Sequence, residues 1–260
     1  MMKGDTLYTV DAKYYDLDPR QPDWEVPFYV DFCKDLDGDI LDLGCGTGRF
    51  TIPLAQAGHN VHALEYSSQM LEQLHQKLKA LPEETSNRIT LVHGDMSNFK
   101  LDQKFSLIMI PGRSYHLLLD DEKEIFCLEH VYEHLADNGS FILEIGDFLP
   151  FEAMDWGSEE ESFDWQNVDP ETGNTVTRHR IFKSIDRHNR ILYPQKVYRV
   201  GKPDGTVEKI VKQVSLKYFY REVIEKRLLD NGFRITRRMG EYNGTPIGEG
   251  HCFIYICQKD

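Results

Sequence analysis

Three glycines alternate with other residues in Asp39-Ile40-Leu41-Asp42-Leu43-Gly44-Cys45-Gly46-Thr47-Gly48, directly after a short apolar run. Glycine has no Cβ, so the backbone turns sharply there and comes close to a bound molecule. A helical pattern follows from Arg49, and free amides at a helix start favour polar or anionic ligand groups. Twenty-one residues after Gly44, Glu65 ends a second apolar run. Its carboxylate offers two acceptor oxygens, enough for both hydroxyls of a ribose. The spacing restricts the ligand. A dinucleotide turn needs a third glycine three residues after the second, and that position is Arg49. No Lys-Ser/Thr pair follows, which excludes a phosphate loop of the nucleotide-hydrolase kind.

The elements that must carry these residues alternate. Strand patterns cover 39–43, 60–64, 89–92, 105–110 and 141–145; helical patterns cover 49–57, 67–80 and 124–136. Such alternation implies right-handed crossovers and a parallel sheet with helices on both faces. Ligands then sit outside the carboxyl ends of the strands, where the glycine turn lies. Pro53 lacks an amide hydrogen, so the first helix should start late or bend. From about 151 to 217 the pattern changes to period-two runs at 175–184, 191–200 and 207–216, separated by turn residues such as Asp169-Pro170-Glu171-Thr172-Gly173-Asn174. These are antiparallel hairpins. A helix at 220–231 and strands at 233–239 and 252–257 close the chain.

With its glycine turn in this context, the sequence resembles the class I S-adenosylmethionine-dependent methyltransferases, whose first motif reads much like Leu41-Asp42-Leu43-Gly44-Cys45-Gly46-Thr47-Gly48. The resemblance covers about residues 12–150 and 218–257. It implies a three-layer αβα Rossmann-like fold: a seven-stranded, mostly parallel sheet with its last strand antiparallel. The core would be residues 1–150 and 218–260, and 151–217 a small antiparallel β insertion covering the active-site mouth. It implies that Gly44, Cys45, Gly46, Thr47, Gly48, Glu65 and Tyr66 bind S-adenosylmethionine. Gly94-Asp95-Met96 would contact the adenine, with Asp95 on its exocyclic amine. Met70, one turn after Ser67, would touch the adenine or simply pack. Ile110-Pro111-Gly112-Arg113 would flank the methionine moiety and the reacting methyl. Tyr14 or Tyr15 would close over the sulfonium, although tyrosines there also pack terminal helices.

The reaction so implied is in-line methyl transfer to a small-molecule N or O acceptor. Tyr115 and His116 are the candidates for a general base, because their loop should border the methyl group; His116 titrates nearer neutrality. Rival readings are a non-catalytic S-adenosylmethionine-binding protein acting through partner contacts, a propylamine transferase, or a nucleotide-dependent oxidoreductase. His130-Val131-Tyr132-Glu133-His134 matches a zinc-peptidase pattern. Helix geometry, however, puts Ile125, Leu128, Val131, Tyr132 and Leu135 on the apolar face and both histidines on the solvated one, so no metal site is expected.

Composition sets outer bounds. The 260 residues carry a net charge of −13, which opposes general nucleic-acid binding. The charge is segregated: 144–172 hold ten acidic and no basic residues, and 178–221 hold twelve basic and three acidic. These stretches face each other or solvent, or form a basic ribbon for an anionic acceptor. Cys33, Cys45, Cys127, Cys252 and Cys257 are odd in number with no C-x-x-C, against a disulfide framework or structural zinc. No window approaches a membrane helix, and the opening MMKGDTLYTV lacks a secretion signal, so a cytoplasmic location is expected. The oligomeric state stays open, a homodimer included.

Overall fold

The structure is a computed structural model describing residues 9–20 and 24–260. Along the chain run α1 (Thr9–Tyr14), α2 (Glu25–Phe32), β1 (Ile40–Leu43), α3 (Thr51–Gln56), β2 (Val61–Glu65), α4 (Ser68–Lys79), α5 (Glu83–Ser86), β3 (Ile89–His93), β4 (Phe105–Ile110), α6 (Asp121–His134) and β5 (Leu135–Gly146). There follow α7 (Leu149–Glu152), β6 (Ser162–Val168), β7 (Thr175–Asp186), β8 (Ile191–Gly201), β9 (Val207–Gln213), β10 (Leu216–Lys217), α8 (Arg221–Asp230), β11 (Phe233–Met239) and β12 (Cys252–Lys259). The described residues divide into two compact units, one of residues 24–147 and 219–260, the other of 9–20 and 148–218. No described helix is long and apolar enough to cross a membrane.

The larger unit holds a seven-stranded sheet in the order β11-β12-β5-β4-β1-β2-β3. β1 pairs parallel with β2 and β4, β2 with β3, and β4 with β5. β12 runs antiparallel to both of its neighbours. Side chains alternate across a strand, and a parallel sheet covered on both faces needs apolar residues at every position. Leu41, Leu43, Ile108 and Leu143 therefore enter one core with Leu128 and Val131 of α6 and Leu228 of α8. Ile40, Leu107, Met109 and Ile142 enter the other with Tyr29 of α2, Leu54 of α3 and Leu74 of α4. The expected three-layer αβα architecture is the observed one. α3 starts late, at Thr51, with Pro53 in its first turn, where a missing amide costs no helical hydrogen bond.

The smaller unit holds a five-stranded antiparallel sheet, β10-β8-β7-β6 with β9 also on β8. The three period-two runs are β7, β8 and β9 with β10. β6 was not foreseen, because its seven residues lie inside the acidic stretch. That stretch and the basic one face each other: Asp164 pairs with Arg178 at 3.1 Å and Arg180 at 3.0 Å, and Glu161 with Lys209 at 2.9 Å. The described residues before 21, expected with the core, group here instead. Tyr14 is buried with Trp165, Val176, Tyr198 and Val200, its ring 5.7 Å from that of Tyr198. Arg20 bridges Asp18 at 2.8 Å and Asp164 at 3.1 Å.

Candidate functional site

β1 is buried at every position and delivers the chain into the glycine turn. The amides of Gly44 and Cys45 donate to the Leu64 carbonyl at 2.8 and 3.1 Å, which ties the turn to β2. Gly44 has φ +78°, and a Cβ there would sit 2.7 Å from the Ser114 side chain. Gly46 has φ +57°, and a Cβ there would meet nothing within 4 Å. The turn thus presses one side against the protein and opens at Gly46. Cys45 and Thr47 are buried within it. Beneath it, Asp42 is wholly buried and accepts the Thr51 hydroxyl at 2.6 Å. Its other oxygen has no hydrogen-bond partner. Burial, with Glu65 nearby adding repulsion, pushes the Asp42 carboxyl up to about 7.

Glu65 ends β2 with both oxygens engaged by backbone amides. Oε2 accepts from Gly46 at 2.9 Å and Oε1 from Ser67 at 2.8 Å. Burial raises its carboxyl and those amides pull it back, leaving it above the ordinary range. Ser67 also caps α4, its hydroxyl accepting from the Met70 amide at 3.2 Å. Met70 is buried and Tyr66 half-buried. The Gly94 amide donates to the Glu65 carbonyl at 3.0 Å, so the exit of β3 lies beside that of β2. Asp95 there accepts the Ser97 amide and hydroxyl at 2.9 and 2.7 Å, and Lys123 stands 3.5 Å away. Burial works against its charge, but Ser97 and Lys123 outweigh it and hold the carboxyl low. Met96 is buried next to it.

After β4, Ile110 and Pro111 are buried, and Gly112 and Arg113 take consecutive left-handed conformations, φ +63° and +67°. Glu144 on β5, itself buried, accepts the Gly112 amide at 2.7 Å and the Tyr242 hydroxyl at 2.7 Å. Arg113 Nε lies 3.6 Å from its other oxygen. Ser114 Oγ donates to the Gly44 carbonyl at 3.3 Å, which joins this loop to the glycine turn.

A family model described as a methyltransferase domain matches residues 40–139. Residues 40–139 are thus similar to a methyltransferase domain. Cypemycin N-terminal methyltransferase of a Streptomyces species is 30% identical over 125 residues, 48% of this chain and 49% of that protein. The chain spans about half the length of the curated relatives it matches. Among solved structures, the CcbJ methyltransferase from Streptomyces caelestis superposes with a TM-score of 0.77 at 20% identity, covering 97% of this chain and 98% of that one. An amino pentose methyltransferase from Micromonospora echinaspora, with S-adenosylmethionine bound, gives 0.70 at 21% identity and 96% coverage of both. The fold is that of the class I S-adenosylmethionine-dependent methyltransferases.

The larger unit gathers the glycine turn, Glu65, Asp95 and the β4 loop along one edge of its sheet. It does not bring Tyr115 and His116 to a surface where an acceptor could meet them. Both are fully buried and contact the Phe219 ring. The Tyr115 hydroxyl donates to the Glu124 carbonyl at 3.3 Å, and burial raises it well above its ordinary value. His116 Nε2 accepts the Gly146 amide at 2.9 Å. A neutral imidazole has one acceptor nitrogen, so this ring has no lone pair left for a substrate proton. His134 is likewise buried, not solvated. Its Nδ1 meets the His130 carbonyl at 2.7 Å and its Nε2 accepts the Leu101 amide at 3.0 Å, leaving no nitrogen for a metal. The buried stripe of α6 is Glu124, Cys127, Leu128, Val131 and His134, and Ile125 is exposed.

Glu25, Glu144 and Tyr242 were missed by the sequence reading. The one signal available was Glu144, an acid inside an otherwise apolar buried strand, which demands partners. Glu25 on α2 forms a short ion pair with Arg49, directly after the glycine turn. Burial and the charge of Glu144 raise its carboxyl against the pull of Arg49. The five cysteines are free and buried.

Proposed function

We propose that this chain is an S-adenosylmethionine-dependent methyltransferase acting on a small-molecule N or O acceptor, with nitrogen favoured. The observation that carries the reading is the Glu65 carboxylate, held by the Gly46 and Ser67 amides at the open side of the glycine turn. The residues fit the cofactor: the side of Gly46 that a Cβ would fill is open, and an acid stands at the end of the neighbouring strand. When bound, S-adenosylmethionine supplies a methyl group already activated on its sulfonium.

The chain's own task is then to bind and to orient. Glu65 would take the ribose hydroxyls, with two oxygens and four lone-pair directions. Gly94, Asp95 and Met96, with Tyr66 and Met70, would take the adenine. Ile110, Pro111 and Arg113 would line the methionine end; Tyr14 and Tyr15 group with the smaller unit, Tyr14 in its buried core, and are not assigned to the sulfonium. Holding an acceptor in line supplies about 7–11 kcal/mol of barrier reduction without a protein nucleophile. No general base is assigned, so an amine acceptor would react in its neutral form. The preference for nitrogen is supported by the likeness to an N-terminal methyltransferase.

Calorimetric titration with S-adenosylmethionine and S-adenosylhomocysteine tests the reading. Wild type should bind in the micromolar range, about −8 kcal/mol, and Glu65→Ala should lose about 1 kcal/mol or more. Wild-type protein, stripped of ligand, that binds neither compound overturns it. Turnover on a panel of small primary and secondary amines, read as S-adenosylhomocysteine released, then identifies the acceptor class.

A further inference from the structure

The acidic and basic stretches of the smaller unit do not cancel everywhere. Strand register sets Arg180 of β7 opposite Lys196 of β8, and Lys196 opposite Lys212 of β9. Residues directly opposite on neighbouring strands share a face with Cβ atoms about 5 Å apart, and like charges so placed repel. A row of three cations therefore crosses the sheet. The adjoining row on the same face is Trp165, Arg178, Tyr198 and Ile210.

Two carboxylates meet the arginine end of this surface. Asp164 pairs with Arg20 at 3.1 Å, Arg178 at 3.1 Å and Arg180 at 3.0 Å. Asp18 pairs with Arg20 at 2.8 Å and Arg178 at 3.2 Å. Three guanidiniums against two carboxylates leave one positive charge over, and Lys196 and Lys212 stand next in the row. Arg180 is half-buried, its guanidinium 5.9 and 6.0 Å from the ring centres of Phe151 and Phe182. Burial holds it below the ordinary arginine value, with Arg178 and Arg20 adding repulsion against the pull of Asp164. A charge withdrawn from water is costly unless it is paired. A second, independent observation comes from the adjoining row. Trp165 is 2% exposed, with the Arg178 guanidinium 5.4 Å from its ring centre. Its Nε1 is buried with no hydrogen-bond partner among the described residues. An indole nitrogen donates and never accepts, so the group it lacks is an acceptor.

We propose that this face of the five-stranded sheet binds a phosphate group through Arg180, Lys196 and Lys212, with Trp165 Nε1 as a neutral donor beside them. A phosphate ester carries about −1.5 to −2 charge and three strong acceptor oxygens, which matches a row of cations better than a single carboxylate does. The phosphate is either free inorganic phosphate or part of an organic molecule. The site lies wholly in the smaller unit, so it stands or falls apart from the reading of the glycine turn.

Calorimetric titration of the whole protein with orthophosphate and with phenyl phosphate, at an ionic strength fixed with sodium chloride, tests it. Wild type should bind at least one of them with Kd about 1 mM or tighter. Arg180→Gln and Lys196→Gln should each weaken that binding about tenfold or more, the scale of one charged hydrogen bond. Lys196→Arg should keep most of it, and Trp165→Phe should lose several-fold, about the scale of one neutral hydrogen bond. Phenyl phosphate bound more tightly than orthophosphate identifies an organic phosphate as the ligand; orthophosphate bound as tightly or more so identifies the inorganic ion. Arg180→Gln leaves Asp164 its pairs with Arg20 and Arg178, so its fold should hold, checked by unchanged hydrogen exchange across β6 to β9. If that check fails, Lys196→Gln decides. Wild type that binds neither probe overturns the proposal, and so does equal affinity in wild type and in a folded Arg180→Gln or Lys196→Gln protein.

Discussion

Asp42 is a carboxyl group that the fold keeps out of water with one oxygen unpartnered. Its ordinary value is 3.8 and burial pushes it up to about 7, so the folded protein binds its proton more tightly than the unfolded chain. The sign follows directly. Below about 4 both states are protonated and the group is neutral in its effect. As pH rises through the window from about 4 to about 7 the unfolded chain releases the proton first, and stability falls. Above about 7 the full penalty is present, at most about 4 kcal/mol on the scale of 1.36 kcal/mol per pH unit. Asp42→Asn keeps an oxygen for the Thr51 hydroxyl and carries no charge. It should raise the melting temperature relative to wild type at pH 8 and leave it nearly unchanged at pH 3.5. A thermal melt at the two pH values checks this, and an equal difference at both would show that charge burial is not the cause.

The glycine turn is an element whose three glycines serve different ends, and the difference is measurable. A Cβ at Gly48 would sit 2.4 Å from Leu74 Cδ1, inside the core. Gly48→Ala should cost about 1–3 kcal/mol of stability through overpacking and backbone strain. At Gly46 nothing stands in the way, so Gly46→Ala should cost about 1–2 kcal/mol of strain alone. Its methyl group enters the space proposed for the cofactor, so its loss of S-adenosylhomocysteine affinity should exceed that of Gly48→Ala. Denaturant unfolding and calorimetry on the two variants check the crossing order, and affinity loss that merely tracks stability loss would contradict it. Elements of this kind were legible because a buried strand, its glycines and its terminal acid each leave a one-dimensional mark. The helical period gave α6 but set its face one residue out. The stripe passes through Glu124 and His134, whose partners Arg227 and the Leu101 amide come from elsewhere in the chain. For the same reason His116 reads as a loop base in sequence and is a buried acceptor for Gly146 in the fold.

At the scale of the molecule, the sequence reading set the amino-terminal segment with the core, whereas its described residues group with 148–218. Its membership is decided by contacts such as Arg20 with Asp164, 144 positions apart. A ring on a ring, Tyr14 on Tyr198, leaves no periodic trace either. The smaller unit has a modest core of its own, Tyr14, Trp165, Val176, Tyr198 and Val200, separate from the two cores of the larger unit. Removing one large ring from so few should open it locally. Tyr14→Ala deletes a buried aromatic, a change that costs about 3–5 kcal/mol in a packed site. Compact units of one chain open with their own free energies, so the loss should be confined. Hydrogen exchange of the Tyr14→Ala protein should speed up roughly a hundredfold or more across β6 to β9. The amides of β1, β2, β4 and β5 should exchange as in wild type, and S-adenosylhomocysteine should still protect the glycine turn. Uniform acceleration through both sheets would mean that the chain unfolds as one cooperative body. The amino-terminal segment would then contribute to the stability of the cofactor site as well as to that of its own unit.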